Sequence, residues 1–121
     1  MINRLTRNGG STYLTIPKAI LLAKGWTSRK FAILNPDGIK TFSVMLFETM
    51  EEVVNHIKSN KLNEKFMISR RFPTATRFCI TLHKGFLKRI EITDKPLVSI
   101  DYSHEHFLII KVIEPYGNTT K

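Results

Sequence analysis

The sequence predicts a mainly β fold with short helices, built from two β-β-α-β-β repeats joined by a helix near residues 50–59. Three observations predict it. Residues 1–48 lie on residues 67–114 without a gap, at an offset of 66. Each copy carries short runs of alternating apolar residues bounded by turn residues, the pattern of half-buried strands. The stretch between the copies has helical spacing instead. At the 66-residue offset Met1, Ile2, Arg4, Thr15, Lys18, Leu21, Thr27 and Glu48 meet identical residues. Leu14, Ile16, Ile20, Phe42, Val44 and Leu46 meet Ile80, Leu82, Phe86, Leu108, Ile110 and Val112, so the apolar pattern repeats as well. A copy of 48 residues is small for a core of its own. The two copies are therefore expected to build one core together.

The elements follow in order. Residues 1–7 read as a short strand. Asn8-Gly9-Gly10-Ser11 is a turn, because glycine accepts positive φ and asparagine is the next most tolerant. Thr12 to Ile16 alternates, with Leu14 and Ile16 on one face. Pro17 suits a helix start, and Lys18 to Lys24 makes about two turns with Ile20 and Leu21 inward. Gly25 is placed to end that helix in the left-handed region. Phe31 to Asn35 and Thr41 to Glu48 form a hairpin across Pro36-Asp37-Gly38. Thr49-Met50-Glu51-Glu52 has capping-box spacing. Met50, Val53, Val54 and Ile57 then form an apolar stripe, expected to pack on the barrel. Copy two repeats the plan: a strand over 67–72, a strand over 78–82, a short helix over 83–89, and a hairpin of 97–101 with 107–114. The organisation is thus repeat 1 at 1–48, a helical connector at 49–66, repeat 2 at 67–114 and a flexible tail at 115–121.

Composition narrows the function. Nineteen Lys and Arg face ten Asp and Glu, a net charge of +9. Residues 1–49 carry net +5, residues 50–65 net zero and residues 66–121 net +4, so the excess sits in the repeats. A basic folded domain points to a polyanion, most often nucleic acid. No apolar run is long enough to span a membrane, and the N-terminus has no signal-type segment. A cytoplasmic protein, associated with the nucleoid or with host-cell DNA, is expected. The single Cys79 rules out an internal disulfide framework and reads as a small buried hydrophobe.

The stretch RLTRNGGSTYLTIPKAILLAKGW, Arg4 to Trp26, resembles the AbrB/SpoVT/MazE family of swapped-hairpin transcription factors. It has a basic strand, a glycine turn, a strand ending in Ile16-Pro17, a short helix with Ile20 and Leu21, and then Gly25-Trp26. Copy two matches by pattern only. It has His83 where Pro17 stands, Pro73-Thr74-Ala75-Thr76 near the glycine turn, and Glu91 in place of Gly25. The resemblance implies that two units exchange hairpins and close one small β-barrel. Here they would do so within one chain, as an intramolecular pseudo-dimer, and a homodimer of chains is left open. It also implies DNA contacts from Arg4, Arg7, Asn8 and Lys18 in copy one, and from Arg70, Arg71, Arg77 and Lys84 in copy two. The chemistry suits that role. Arginine forks take paired guanine acceptors or phosphate oxygens, and lysine supplies a mobile charge. Because the copies differ, the preferred duplex site is expected to be an imperfect palindrome.

Other signals are weaker. His104 and His106 form a His-x-His pair without an evident third ligand and read as surface residues. No catalytic triad order, P-loop, dinucleotide fingerprint or carboxylate pair can be argued, so neither an enzyme nor a cofactor is expected. Lys24, Arg29, Lys30, Lys88 and Arg89 read as plain surface charge, and Trp26 as core. Two other readings stay open: an antitoxin-type protein-interaction module, and a small basic barrel for RNA or single strands. The latter needs exposed aromatics for base stacking, whereas most phenylalanines fall at core positions.

Overall fold

The structure, a computed structural model, describes residues 2–8, 11–38, 40–62, 66–70, 78–89 and 97–113. Of Asn3, Arg4, Arg7, Asn8 and Arg89 it describes the backbone. Among the described residues the fold is mainly β with three helices. In chain order the elements are β1 (Ile2–Arg4), β2 (Thr6–Asn8), β3 (Ser11–Ile16), α1 (Lys18–Lys24), β4 (Phe31–Pro36), β5 (Thr41–Phe47) and α2 (Met50–Ser59). Copy two follows with β6 (Met67–Arg70), β7 (Phe78–Leu82), α3 (Lys84–Arg89), β8 (Leu97–Asp101) and β9 (Leu108–Ile113).

Among the described residues the strands form two sheets rather than the single closed barrel expected. One has the order β1-β8-β9-β5-β4-β6, the other β2-β3-β7. The division has a visible cause. The predicted strand over 1–7 breaks at Leu5, which is 1% exposed. There the chain leaves the larger sheet as β1 and enters the smaller one as β2.

The pairing is symmetric between the copies. Leu14 of β3 pairs with Ile80 of β7, the residue 66 positions on. Ser43 of β5 pairs with Ile109 of β9, again its own counterpart. A pseudo-two-fold axis therefore runs through both central ladders. The outer strands are exchanged: β1 of copy one pairs with β8 of copy two, and β6 of copy two pairs with β4 of copy one. Arg4 opposite Leu97 is the counterpart of Arg70 opposite Phe31.

One core joins the copies. Leu14, Ile16, Ile20, Phe42 and Val44 lie in one cluster with Phe78, Ile80, Phe86, Leu108 and Ile110. Phe42 meets Phe86 edge-on, with ring centroids 5.0 Å apart at 86°.

Local signals account for several element ends. Gly25 has φ +71° and closes α1, as its sequence position predicts. Pro17 is the N-cap rather than the first helical residue, and its carbonyl accepts from the Ile20 and Leu21 amides. The Thr49 hydroxyl accepts from the Glu52 amide at 3.2 Å, and the Glu52 carboxylate accepts from the Thr49 amide at 3.1 Å. The predicted glycine turn is bracketed by the pairing of Asn8 with Ser11, although Gly9 and Gly10 lie outside the described residues. So do the Pro73–Thr76 turn and the 115–121 tail.

Helix α2 departs from expectation. It packs on β4 and β5, but its predicted stripe is only partly covered. Val53 is buried and Ile57 half-buried, whereas Met50 is 46% and Val54 39% exposed. Among the described residues it has no counterpart in copy two. Ile33 and Met45 lie on the side of the larger sheet away from the core, and Ile33 is buried outside the core cluster. The residues 66 positions on are the half-buried Ser99 and the exposed Lys111. Copy two thus carries polar residues where copy one carries an apolar face under a helix.

Candidate nucleic-acid interface

The smaller sheet presents one face outward. On β3 the residues Thr12, Leu14 and Ile16 are buried, while Ser11, Tyr13 and Thr15 are half-buried on the other side. On β7 Phe78, Ile80 and Leu82 are buried, Cys79 is half-buried and Thr81 is exposed. Directly opposed residues share a face. Thr6, Tyr13 and Thr81 therefore form one outward row, and Thr15 and Cys79 another. Thr15 Oγ1 lies 3.4 Å from Cys79 Sγ, so this cysteine stands at the surface of the sheet and is not the buried hydrophobe expected. The centre of the face is uncharged and rich in hydroxyl groups, and Thr15 and Thr81 are related by the pseudo-dyad.

Cations flank this centre. Lys18 and Lys84 are the first residues of α1 and α3 and both are exposed. They follow opposite ends of the β3–β7 ladder. Ile16 and Leu82, the last strand residues before them, are separated by four steps, about 14 Å along the ladder. Arg70 is exposed at the end of β6, with its guanidinium 5.9 Å from the Phe31 ring centroid. Arg4 holds the matching backbone position at the end of β1. Arg7 pairs with Thr12 and Asn8 with Ser11 on the β2–β3 hairpin. Arg71 and Arg77 lie outside the described residues.

Two cations read as plain surface charge have structural partners. The Lys24 ammonium and the Arg29 guanidinium lie 5.7 and 5.1 Å from the ring centroid of Trp26, which is 3% exposed. Lys24 Nζ donates to the His104 carbonyl, and Arg29 donates to the Leu46 carbonyl at 2.9 Å. The ring partner is a near neighbour in sequence, but the carbonyl partners lie 80 and 17 residues away, beyond the reach of local pattern. Strand alternation places Tyr13, Thr15 and Thr81 on the outward face, but without charge they carry no nucleic-acid signal in the sequence.

The histidine pair is engaged locally. His104 stacks on Phe107 at 4.6 Å and its Nε2 lies 3.4 Å from Asp101 Oδ2. His106 Nε2 lies 3.8 Å from Glu105. Asp101 accepts from the Ser103 hydroxyl at 2.6 Å and from the Ser103 amide at 3.0 Å. These hydrogen bonds, with a smaller contribution from the charge of His104, hold the Asp101 carboxyl below its ordinary pKa. Among the described residues no three His, Cys, Asp or Glu side chains converge as a metal site. No helix of the described residues is long and apolar enough to cross a membrane.

Compared with protein-family models, curated proteins and solved structures, the chain matches none.

Proposed function

We propose that the chain is a double-stranded DNA-binding transcriptional regulator, built from two tandem units that exchange strands in a swapped-hairpin arrangement within one polypeptide. The observation that carries this reading is the pseudo-dyad with matched cations: Lys18 with Lys84, and Arg4 with Arg70, stand at equivalent positions about one axis. Duplex DNA has the same local two-fold symmetry, and a dyad-related protein can address both strands in the same way. The exchange of β1 and β6 between copies supports the swapped-hairpin arrangement.

The duplex lies over the outer face of the smaller sheet. On the opposite side, among the described residues, α2 stands over one copy and not the other, so a symmetric contact is blocked there. Lysines and arginines at the flanks hold phosphates and set the register. The hydroxyl-bearing centre, Tyr13, Thr15 and Thr81, reaches the groove. Sequence preference is an imperfect palindrome, because Tyr13 in one half corresponds to Cys79 in the other. Single-strand or RNA binding has less support, since the described phenylalanines are buried or half-buried and offer few stacking platforms.

The test is a duplex titration at several salt concentrations, beside selection of bound duplexes from a random pool. Affinity should fall steeply with salt as counterions are released. Arg4→Glu combined with Arg70→Glu should abolish binding and leave the fold intact. A chain that shows no duplex affinity at low salt overturns the proposal.

A further inference from the structure

We propose that the exposed flank of α2 is a self-association surface, which takes a second copy of this chain with the two helices antiparallel. The inference does not depend on DNA binding. At 100° per residue, Met50, Val54, Lys58 and Glu51 fall on one side of the helix. Val53 and His56 fall on the other, where Val53 is buried and the His56 ring sits 5.3 Å from that of Phe47. Met50 and Val54 are large apolar residues left 46% and 39% exposed, one turn apart, with Glu51 and Lys58 exposed beside them.

The charges select the occupant. Glu51 lies in the first turn and Lys58 in the last, seven residues and two turns apart on the same flank. In an antiparallel pair centred between Val54 and Asn55, Glu51 meets the partner's Lys58 twice. A parallel pair would set Glu51 against its own copy. Antiparallel packing also opposes the helix dipoles favourably. The contact is isologous, so it closes at two chains instead of propagating. Only one α2 exists per chain, which again limits assembly to a dimer. Little ordering is needed beforehand, because the Thr49–Glu52 capping box already fixes the helix. A ten-residue helix buries less than a standard interface, so the dimer is weak and forms at high protein concentration.

Sedimentation velocity on the full chain, from about 10 µM to about 1 mM, tests this range of weak affinity. A dimer should appear towards the upper end. Val54→Glu should abolish it. Glu51→Lys and Lys58→Glu should each weaken it by about tenfold, as two exposed pairs turn repulsive, and the double variant should recover it. Circular dichroism checks that each variant is folded, and Val54→Lys serves as a second probe if a charge swap unfolds the helix. A monomer throughout, a dimer that survives both Val54 variants, or a folded double variant that does not recover overturns the proposal.

Discussion

Substituting Phe86 with leucine tests whether the two copies share one cooperative core. Phe86 belongs to copy two, is 4% exposed, and meets Phe42 of copy one edge-on at 5.0 Å. Losing the aromatic pair costs about 0.5–1.5 kcal/mol. The change of shape adds up to about 1.5 kcal/mol, giving roughly 2 kcal/mol in all. With a urea dependence of about 1.5 kcal/mol/M, the unfolding midpoint should fall by about 1 M. The assay is Trp26 fluorescence. Trp26 is the only tryptophan, lies in copy one and is buried, so it reports a copy that does not contain the substitution. If the copies fold as one unit, the Trp26 midpoint moves by the full amount. A Trp26 transition left unmoved, while amide exchange in β7 accelerates, would refute the shared core.

Other expectations follow from single contacts. Thr49→Ala removes the N-cap hydroxyl and should cost about 1 kcal/mol, read as faster amide exchange at Glu52 and Val53 and a lower Tm. Ser103→Ala should raise the Asp101 pKa towards its ordinary value, seen by NMR titration of the carboxyl. Because that pKa is depressed in the fold, the stabilisation is present above the unfolded-state pKa and is lost as pH falls through the folded value. Lys18→Ala and Lys84→Ala should each reduce the log–log salt slope of duplex binding by about 0.9, one phosphate contact apiece, and two unchanged slopes would remove these residues from the interface.

Much of this fold was legible because the sequence repeats. The 66-residue offset marks β3 and β7, and β5 and β9, as equivalent elements, and the structure adds that they pair through equivalent residues, Leu14 with Ile80 and Ser43 with Ile109. Local signals with a short physical range also read well, such as Gly25 ending α1 and Thr49 starting α2. What failed involved long-range placement. Alternation cannot say that a strand changes sheets, so the break at Leu5 went unread. Nor can helical spacing say how much of a stripe is covered, so Met50 and Val54 were expected inside. Lys24 and Arg29 read as surface charge because the carbonyls they bind, of His104 and Leu46, are remote in sequence, and because spacing alone does not show a side chain folding back over the Trp26 ring. For the candidate site, the sequence supplied the cations but not the hydroxyl face between them.

The exchanged outer strands make the two halves topologically dependent on each other. Trypsin acting after the exposed Lys61 would cut the covalent link between copies, yet β1 would still complete the sheet of copy two and β6 that of copy one. The nicked protein should therefore migrate as one particle until denatured. The same dependence bears on synthesis at the ribosome. Copy one emerges first, but β1 pairs with β8 and β5 with β9, so its final structure must wait until nearly the whole chain has been translated.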